Sequence, residues 1–293
     1  MNGKVRAYLD LVRVPNLFTA AADILAGFFY TGGEWKDWRE LLALIAASVS
    51  LYAGGVALND VCDVEQDRRE RPGRPIPAGR VSRTAAMNLS ITLLIAGVVL
   101  AACASWRAAI VAGCLCVSII AYDVFLKATP FAPGVMGLCR ALNLALGMSA
   151  APSVLAVPIL IPAGLMWLYI TSVTFFARRE AEVSGRTRLA LGTAGVCSAA
   201  VMLGVLVRVT GEVGLTARWI AVALLTAWLA GFGVRAVLRP VPVRVQTAVK
   251  VFVMSLILFD AVIAWTGSNA WTALAVASLL VPAVTLSRLF RVT

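Results

Sequence analysis

Apolar residues fill this chain in long blocks, and short polar intervals punctuate them. Blocks near 15–32, 40–58, 84–104, 106–122, 133–150, 154–176, 189–207, 216–237, 247–266 and 270–287 approach the roughly 20 residues a helix needs to cross a bilayer. Lipid offers no partner to a free peptide group, so segments of this kind span as helices. The pattern predicts an all-α, polytopic membrane helical bundle of nine to ten transmembrane helices. No linker or low-complexity tract divides it, and residues 1–293 read as a single integral-membrane domain. A charged loop after the second block and another after the sixth suggest two similar halves facing one another.

Composition sharpens the reading. With 60% of residues hydrophobic and 14% charged, too little polar surface remains to keep one compact domain in water. The N-terminal stretch MNGKVRAYLDLVRVPN is basic and leads straight into the first long block, so no removed signal peptide is expected. A net charge of +11 is the size of excess that nucleic-acid binders carry, but its distribution argues against such a partner. Twenty of the twenty-six Lys and Arg residues fall at the termini or in alternate loops, five in the opposite loops, and Arg140 inside a block. That asymmetry predicts a multi-pass cell-membrane protein with the N-terminus and both charged loops in the cytoplasm. Tyr30, Trp35 and Trp38 then sit at the far boundary as aromatic-belt anchors.

The chain has no histidine, which removes imidazole acid–base chemistry and imidazole metal ligation and leaves oxygen-ligated metals. The six cysteines form no C-x-x-C pair and are expected to behave as small buried hydrophobes.

The chemistry concentrates in Asn59–Arg83, NDVCDVEQDRRERPGRPIPAGRVSR, with five of the fifteen acidic residues and six arginines. Asp60, Asp63 and Asp67 stand at i, i+3 and i+7, one face of a helix if the second block continues. Three carboxylates that close repel one another and call for a cation. Hard oxygen ligands suit Mg2+, which completes its shell with phosphate and water. The following arginines, Arg71 and Arg74 among them, suit an anion. Ionisable residues within blocks are functional candidates by default. Arg140 is expected to face a polar cavity or to tie helices by pairing with Asp123. Asp23 and Asp260 are divided between cavity lining and interhelical hydrogen bonding.

NDVCDVEQD followed by RPGRPIPAGRVS resembles the first aspartate-rich motif of the UbiA superfamily of intramembrane prenyltransferases. The likeness extends to Tyr122 and Lys127 and to GLCRALNLALG with Arg140 and Asn143, covering nearly the whole chain. LYAGGVALNDV, YDVFLK, MGLCRALNLALGMS and ARREAEVSG look nearest the EboC-like branch.

The resemblance implies Mg2+-dependent ionisation of a prenyl diphosphate and capture of the prenyl cation by an aromatic or other lipophilic acceptor, beside membrane lipid. It assigns the metal to Asn59, Asp60, Asp63 and Asp67, with Glu180 and Glu182 from a second acidic loop. Asp60, Asp63 and Lys127 would carry catalysis. Substrate would meet Asn59, Arg71, Arg74, Tyr122, Asp123, Lys127, Arg140, Asn143 and Arg178. The second loop, ARREAEVSGRTR, departs from the family pattern because it holds no aspartate. A catalytically degenerate member that binds or moves a lipophilic or phosphorylated metabolite is the alternative. The tenth block lies beyond the nine-span family core.

Overall fold

The structure, a computed structural model, describes residues 3–150, 157–178, 185–209 and 215–290. Every predicted block is helical over most of its described residues. Helices α1 (Gly3–Leu11) and α2 (Val14–Tyr30) are followed by α3 (Trp38–Cys62), α4 (Val64–Glu70), α5 (Arg83–Ala104), α6 (Trp106–Ala121) and α7 (Ala132–Met148). Then come α8 (Val157–Ala177), α9 (Arg186–Val209), α10 (Leu215–Leu238), α11 (Pro242–Gly267), α12 (Ala270–Ser278) and α13 (Leu280–Leu286).

Seven of these helices are long and apolar enough to cross a membrane, and eight if α1 and α2 count as one span bent by 44°. The expectation of nine to ten therefore exceeds what length and composition support. Two features account for the difference. Helix α7 has only 17 residues and carries Arg140, and the tenth block breaks at Leu279 into α12 and α13.

Three helices form the middle of the bundle. Residues of α2, α7 and α11 enter both large apolar clusters, one shared with α8, α9 and α10, the other with α3, α5, α6 and α12. The apolar window of α11 is 72% buried, whereas that of α6 is 17% buried, which puts α11 at the centre and α6 at the lipid boundary. Ile91, Ile95 and Val99 of α5, one helical stripe, are exposed outward as a lipid-facing surface requires.

Glycine permits the closest contacts. A methyl on Gly27 would stand 2.3 Å from the Leu144 carbonyl oxygen, and one on Gly147 would stand 2.5 Å from that of Ile24. The α2 and α7 backbones therefore meet without side chains between them. Across the α3–α5 pair the Ser90 hydroxyl donates to the Gly54 carbonyl at 2.8 Å.

The cysteines differ from expectation. Only Cys139 is buried; Cys62, Cys103 and Cys114 are exposed, and all six are free. Cys114 lies mid-helix in α6, where a thiol is apolar enough to face lipid, while Cys62 and Cys103 lie at helix ends.

Candidate functional site

The helix bearing the acidic motif bends where its chemistry begins. Asp63 closes α3 with φ −91° and ψ 6°, and α4 starts at the next residue. Backbone bonding continues across the break, Asp63 N–H to Asn59 at 3.0 Å and Asp67 N–H to Asp63 at 2.8 Å. Asp60, Asp63 and Asp67 thus do not share one straight helical face. Asp60 and Asp67 turn toward Arg74, whose Nη1 donates to Asp60 Oδ1 at 3.0 Å and to Asp67 Oδ2 at 2.7 Å. All three residues are buried, at 3%, 3% and 6% exposure. Arg13 Nη2 adds a second donor to Asp60 Oδ1 at 2.9 Å.

Two local structures set these arginines. Arg13 takes a left-handed backbone conformation, φ 50°, in the break between α1 and α2, unusual for a residue with a Cβ. The proline-rich segment after α4 coils back on itself, with Ala78 N–H bonding Arg74 at 2.9 Å and Val81 N–H bonding Pro75 at 3.1 Å. Its Ile76 and Val81 are buried with Ala7, Leu11, Val61 and Val64, which anchors the segment carrying Arg74 onto α1 and α3.

The end of α6 supplies the facing groups. One π-helical turn, Tyr122–Leu126, closes with Lys127 N–H bonding Tyr122 at 2.9 Å. The wider turn brings Asp123 and Lys127 to the cavity. Lys127 Nζ donates to Asp63 Oδ2, and Asn59 Nδ2 donates to Asp123 Oδ1 at 2.7 Å.

Apart from Asp60, which sits behind Arg13 and Arg74, these groups line a cavity of about 510 Å3. Arg13, Arg71, Arg74, Lys127, Arg140, Arg178 and Lys250 supply its cations, Asp63, Asp67, Glu70 and Asp123 its acids. The cation excess and the apolar walls below suit a molecule with an anionic head and a hydrocarbon body.

Arg140 both reaches the cavity and ties helices, but not through Asp123. Its Nη1 donates to Asp23 Oδ2 at 2.9 Å, its Nη2 to the Thr19 hydroxyl at 2.7 Å, and its guanidinium lies 5.0 Å from the Tyr52 ring centre. Asp123 is instead taken by Asn59. Asn143 completes this buried network, donating to Asp23 at 2.7 Å and accepting from the Ser48 hydroxyl at 2.7 Å. Asp23 therefore serves interhelical bonding, while Asp260 is fully buried and outside the cavity lining.

Arg178 donates to the Thr129 carbonyl at 2.7 Å and also lines the cavity. Glu180 and Glu182 lie outside the described residues. Among the described residues no three carboxylates or thiols converge as a metal-binding group; Arg74 and Lys127 each occupy a side of the acidic motif.

Sequence reasoning missed Arg13, Tyr52 and Lys250. Arg13 and Tyr52 are joined to the site only by tertiary contacts. Lys250 carried a usable signal: counted with the loop before the ninth apolar block, it stands at that block's edge, where an ionisable residue is a candidate.

A helical bundle with several apolar helices of membrane-crossing length, and a cavity lined by acids and arginines, defines a class: polytopic membrane proteins with a charged internal site. The UbiA prenyltransferase family matches the chain over residues 20–256. The protein belongs to that family, and with it is a multi-pass membrane protein.

It is 41% identical over 98 residues to a digeranylgeranylglyceryl phosphate synthase of Sulfurisphaera tokodaii, covering 33% of this chain and 34% of that one. To the Methanopyrus kandleri enzyme of the same name it is 36% identical over 155 residues, 51% and 56% of the two chains. The chain thus spans about a third to just over half the length of these curated relatives.

Its fold resembles that of a UbiA homologue from Archaeoglobus fulgidus bound to GPP and Mg2+. The TM-score is 0.63 at 12% identity, covering 93% of this chain and 99% of the other. A digeranylgeranylglyceryl phosphate synthase structure matches with TM-score 0.64 at 22% identity, covering 96% and 99%.

Proposed function

We propose that the protein is a Mg2+-dependent intramembrane prenyltransferase that moves a prenyl group from its diphosphate to the hydroxyl of a lipophilic acceptor. The carrying observation is the cavity itself, where Asn59, Asp63, Asp67, Arg71, Arg74 and Lys127 share the lining with apolar side chains such as Leu115, Ile119, Met136, Ile170 and Val173.

Asn59, Asp60, Asp63 and Asp67 fit a hard divalent cation by donor chemistry, since all offer oxygen and three are carboxylates. Bound Mg2+ would offset charge on the departing diphosphate. Arg71, Arg74 and Lys127 take the diphosphate oxygens. The prenyl tail lies along Leu115, Ile119 and Met136, which keep water from the reacting carbon. The allylic C–O bond breaks and its electron pair leaves with the diphosphate. The acceptor oxygen then supplies a pair to that carbon, and its proton passes to Asp123, which Asn59 orients. Tyr122 provides an aromatic surface beside the transient cation. Relatives named for a glyceryl phosphate product favour a glycerol-based acceptor over an aromatic one. The charge asymmetry of the loops supports a cytoplasmic site mouth.

Purified protein should release diphosphate from geranyl to longer prenyl diphosphates only with Mg2+ and an acceptor. Asp63→Asn should lower that rate at least a hundredfold, on the order of 3 kcal/mol of transition-state stabilisation. Tight binding without turnover across a panel of glyceryl and aromatic acceptors would defeat the reading in favour of a carrier.

A further inference from the structure

Helices α2 and α11 meet along a seam in the middle of the bundle. A methyl on Gly267 would stand 2.3 Å from the Tyr30 carbonyl oxygen. Two turns earlier on each helix stand Asp260 and Asp23. The same register brings their carboxyls face to face, within hydrogen-bonding reach. Both residues are fully buried.

Three oxygens of this pair lack a donor. Asp260 has no hydrogen-bond partner for either oxygen, and Asp23 has none for Oδ1. The donors around them are committed elsewhere. Arg140 gives Nη1 to Asp23 Oδ2 and Nη2 to the Thr19 hydroxyl. Asn143 Nδ2 goes to Asp23 Oδ2 and the Ala20 carbonyl. Tyr169, which faces Asp260 from α8, donates to the Phe252 carbonyl at 2.8 Å. Charge does not close either. Two carboxylates against one guanidinium leave a negative charge in the bundle centre, a costly state inside spanning helices.

We propose that Asp23 and Asp260 hold one proton between them, and that Asp260, as the neutral acid, positions Arg140 for an anion in the cavity. One proton corrects both faults: the Asp260 O–H donates to Asp23 Oδ1, and the site becomes neutral. A metal ion would also balance the charge, but among the described residues no third acid or thiol joins the pair to fill its shell. Asp23 stays ionised and keeps Arg140, whose guanidinium borders the cavity. The charged and titratable groups facing the pair are Arg140 from α7, with Tyr52 of α3 against it, and Tyr169 from α8. None of them supplies a second positive charge. Loss of the proton puts a second negative charge beside Arg140 and weakens an anion that meets it. The proton site stands without the prenyl-transfer reading; only its effect on a prenyl diphosphate rests on that reading.

Infrared spectra of the full chain in phosphatidylcholine nanodiscs, with isotope-labelled aspartate, test the site directly. At neutral pH wild type should show a protonated-carboxyl stretch that Asp260→Asn lacks. Asparagine donates an N–H to Asp23 as the acid does, so Asp260→Asn should unfold no earlier than wild type. Asp260→Ala leaves Asp23 Oδ1 without a donor and should unfold earlier. Geranyl diphosphate, with Mg2+ and no acceptor, should bind Asp260→Asn as tightly as wild type and Asp260→Ala roughly tenfold more weakly. On raising the pH, wild-type binding should fall below that of Asp260→Asn only in step with loss of the carboxyl band. A wild-type spectrum without that band, a band that survives in Asp260→Asn, or an Asn variant that does not fold overturns the proton site. So does a wild-type unfolding midpoint raised by sodium chloride and not by choline chloride, because the pair then holds a metal ion. Equal binding by the Ala and Asn variants overturns the positioning role. A wild-type band without geranyl diphosphate binding at any pH refutes the transfer reading and leaves the proton site standing.

Discussion

Asp60 and Asp67 stand seven residues apart and share one nitrogen of Arg74, in a spot where none of the three is more than 6% exposed. Buried carboxylates without a counter-ion are strongly unfavourable, so removing the guanidinium does more than delete one contact. Arg74→Ala should cost about 3–5 kcal/mol of stability, read as a lower unfolding midpoint in detergent, and should also abolish prenyl diphosphate binding. Arg13→Ala is milder, because Asp60 keeps Arg74; a loss as large as that of Arg74→Ala would mean Arg13 is the principal partner. The carboxylate spacing, the arginines and Lys127 were legible in the sequence as chemistry. Their pairing was not. Lys127 meets Asp63 across 64 residues and Arg140 meets Asp23 across 117. The second pairing displaced the expected Asp123 contact because α2, not the end of α6, packs against the Arg140 face of α7.

Among the elements, helix positions followed directly from apolar block length, and their ends from caps such as Ser82, whose hydroxyl accepts from Ala85 N–H at 3.1 Å. Breaks were less legible. The bend at Asp63, the π turn at Tyr122 and the interruption at Leu279 arise from packing and local hydrogen bonding that hydropathy does not encode. Glycine contacts separate a structural requirement from mere composition. At Gly27 an added methyl would meet backbone oxygen at 2.3 Å, and backbone cannot swing aside. Gly27→Ala should therefore push α2 from α7, strain the Asp23–Arg140 bond and cost about 1–3 kcal/mol. Gly113 of α6 has nothing within 4 Å of such a methyl. Gly113→Ala should leave stability unchanged or raise it by up to about 1 kcal/mol, since alanine is the better helix former. Similar unfolding midpoints for the two variants would contradict the close approach of α2 and α7.

For the whole molecule, the decisive question is which side of the membrane the site mouth faces, because that sets where water-soluble diphosphate is released. Helix α5 starts near the site and runs 22 residues away from it, about 33 Å at helical rise and enough to cross the hydrocarbon core. Two native thiols report its opposite ends. Cys62 closes α3 beside the acidic motif, Cys103 lies at the far end of α5, and both are exposed and free. With the remaining cysteines replaced by alanine, a membrane-impermeant maleimide should label Cys62 in inside-out vesicles and Cys103 in right-side-out ones. The reverse pattern would place the site mouth outside and set aside the charge-based orientation. Labelling of Cys62 should also slow when prenyl diphosphate and Mg2+ are added, because ligand at Asp63 crowds the neighbouring thiol. Cys103, a membrane thickness away, should react at the same rate with or without ligand. A matched slowing at both cysteines would mean that ligand acts on the whole bundle and not only at the α3–α4 mouth.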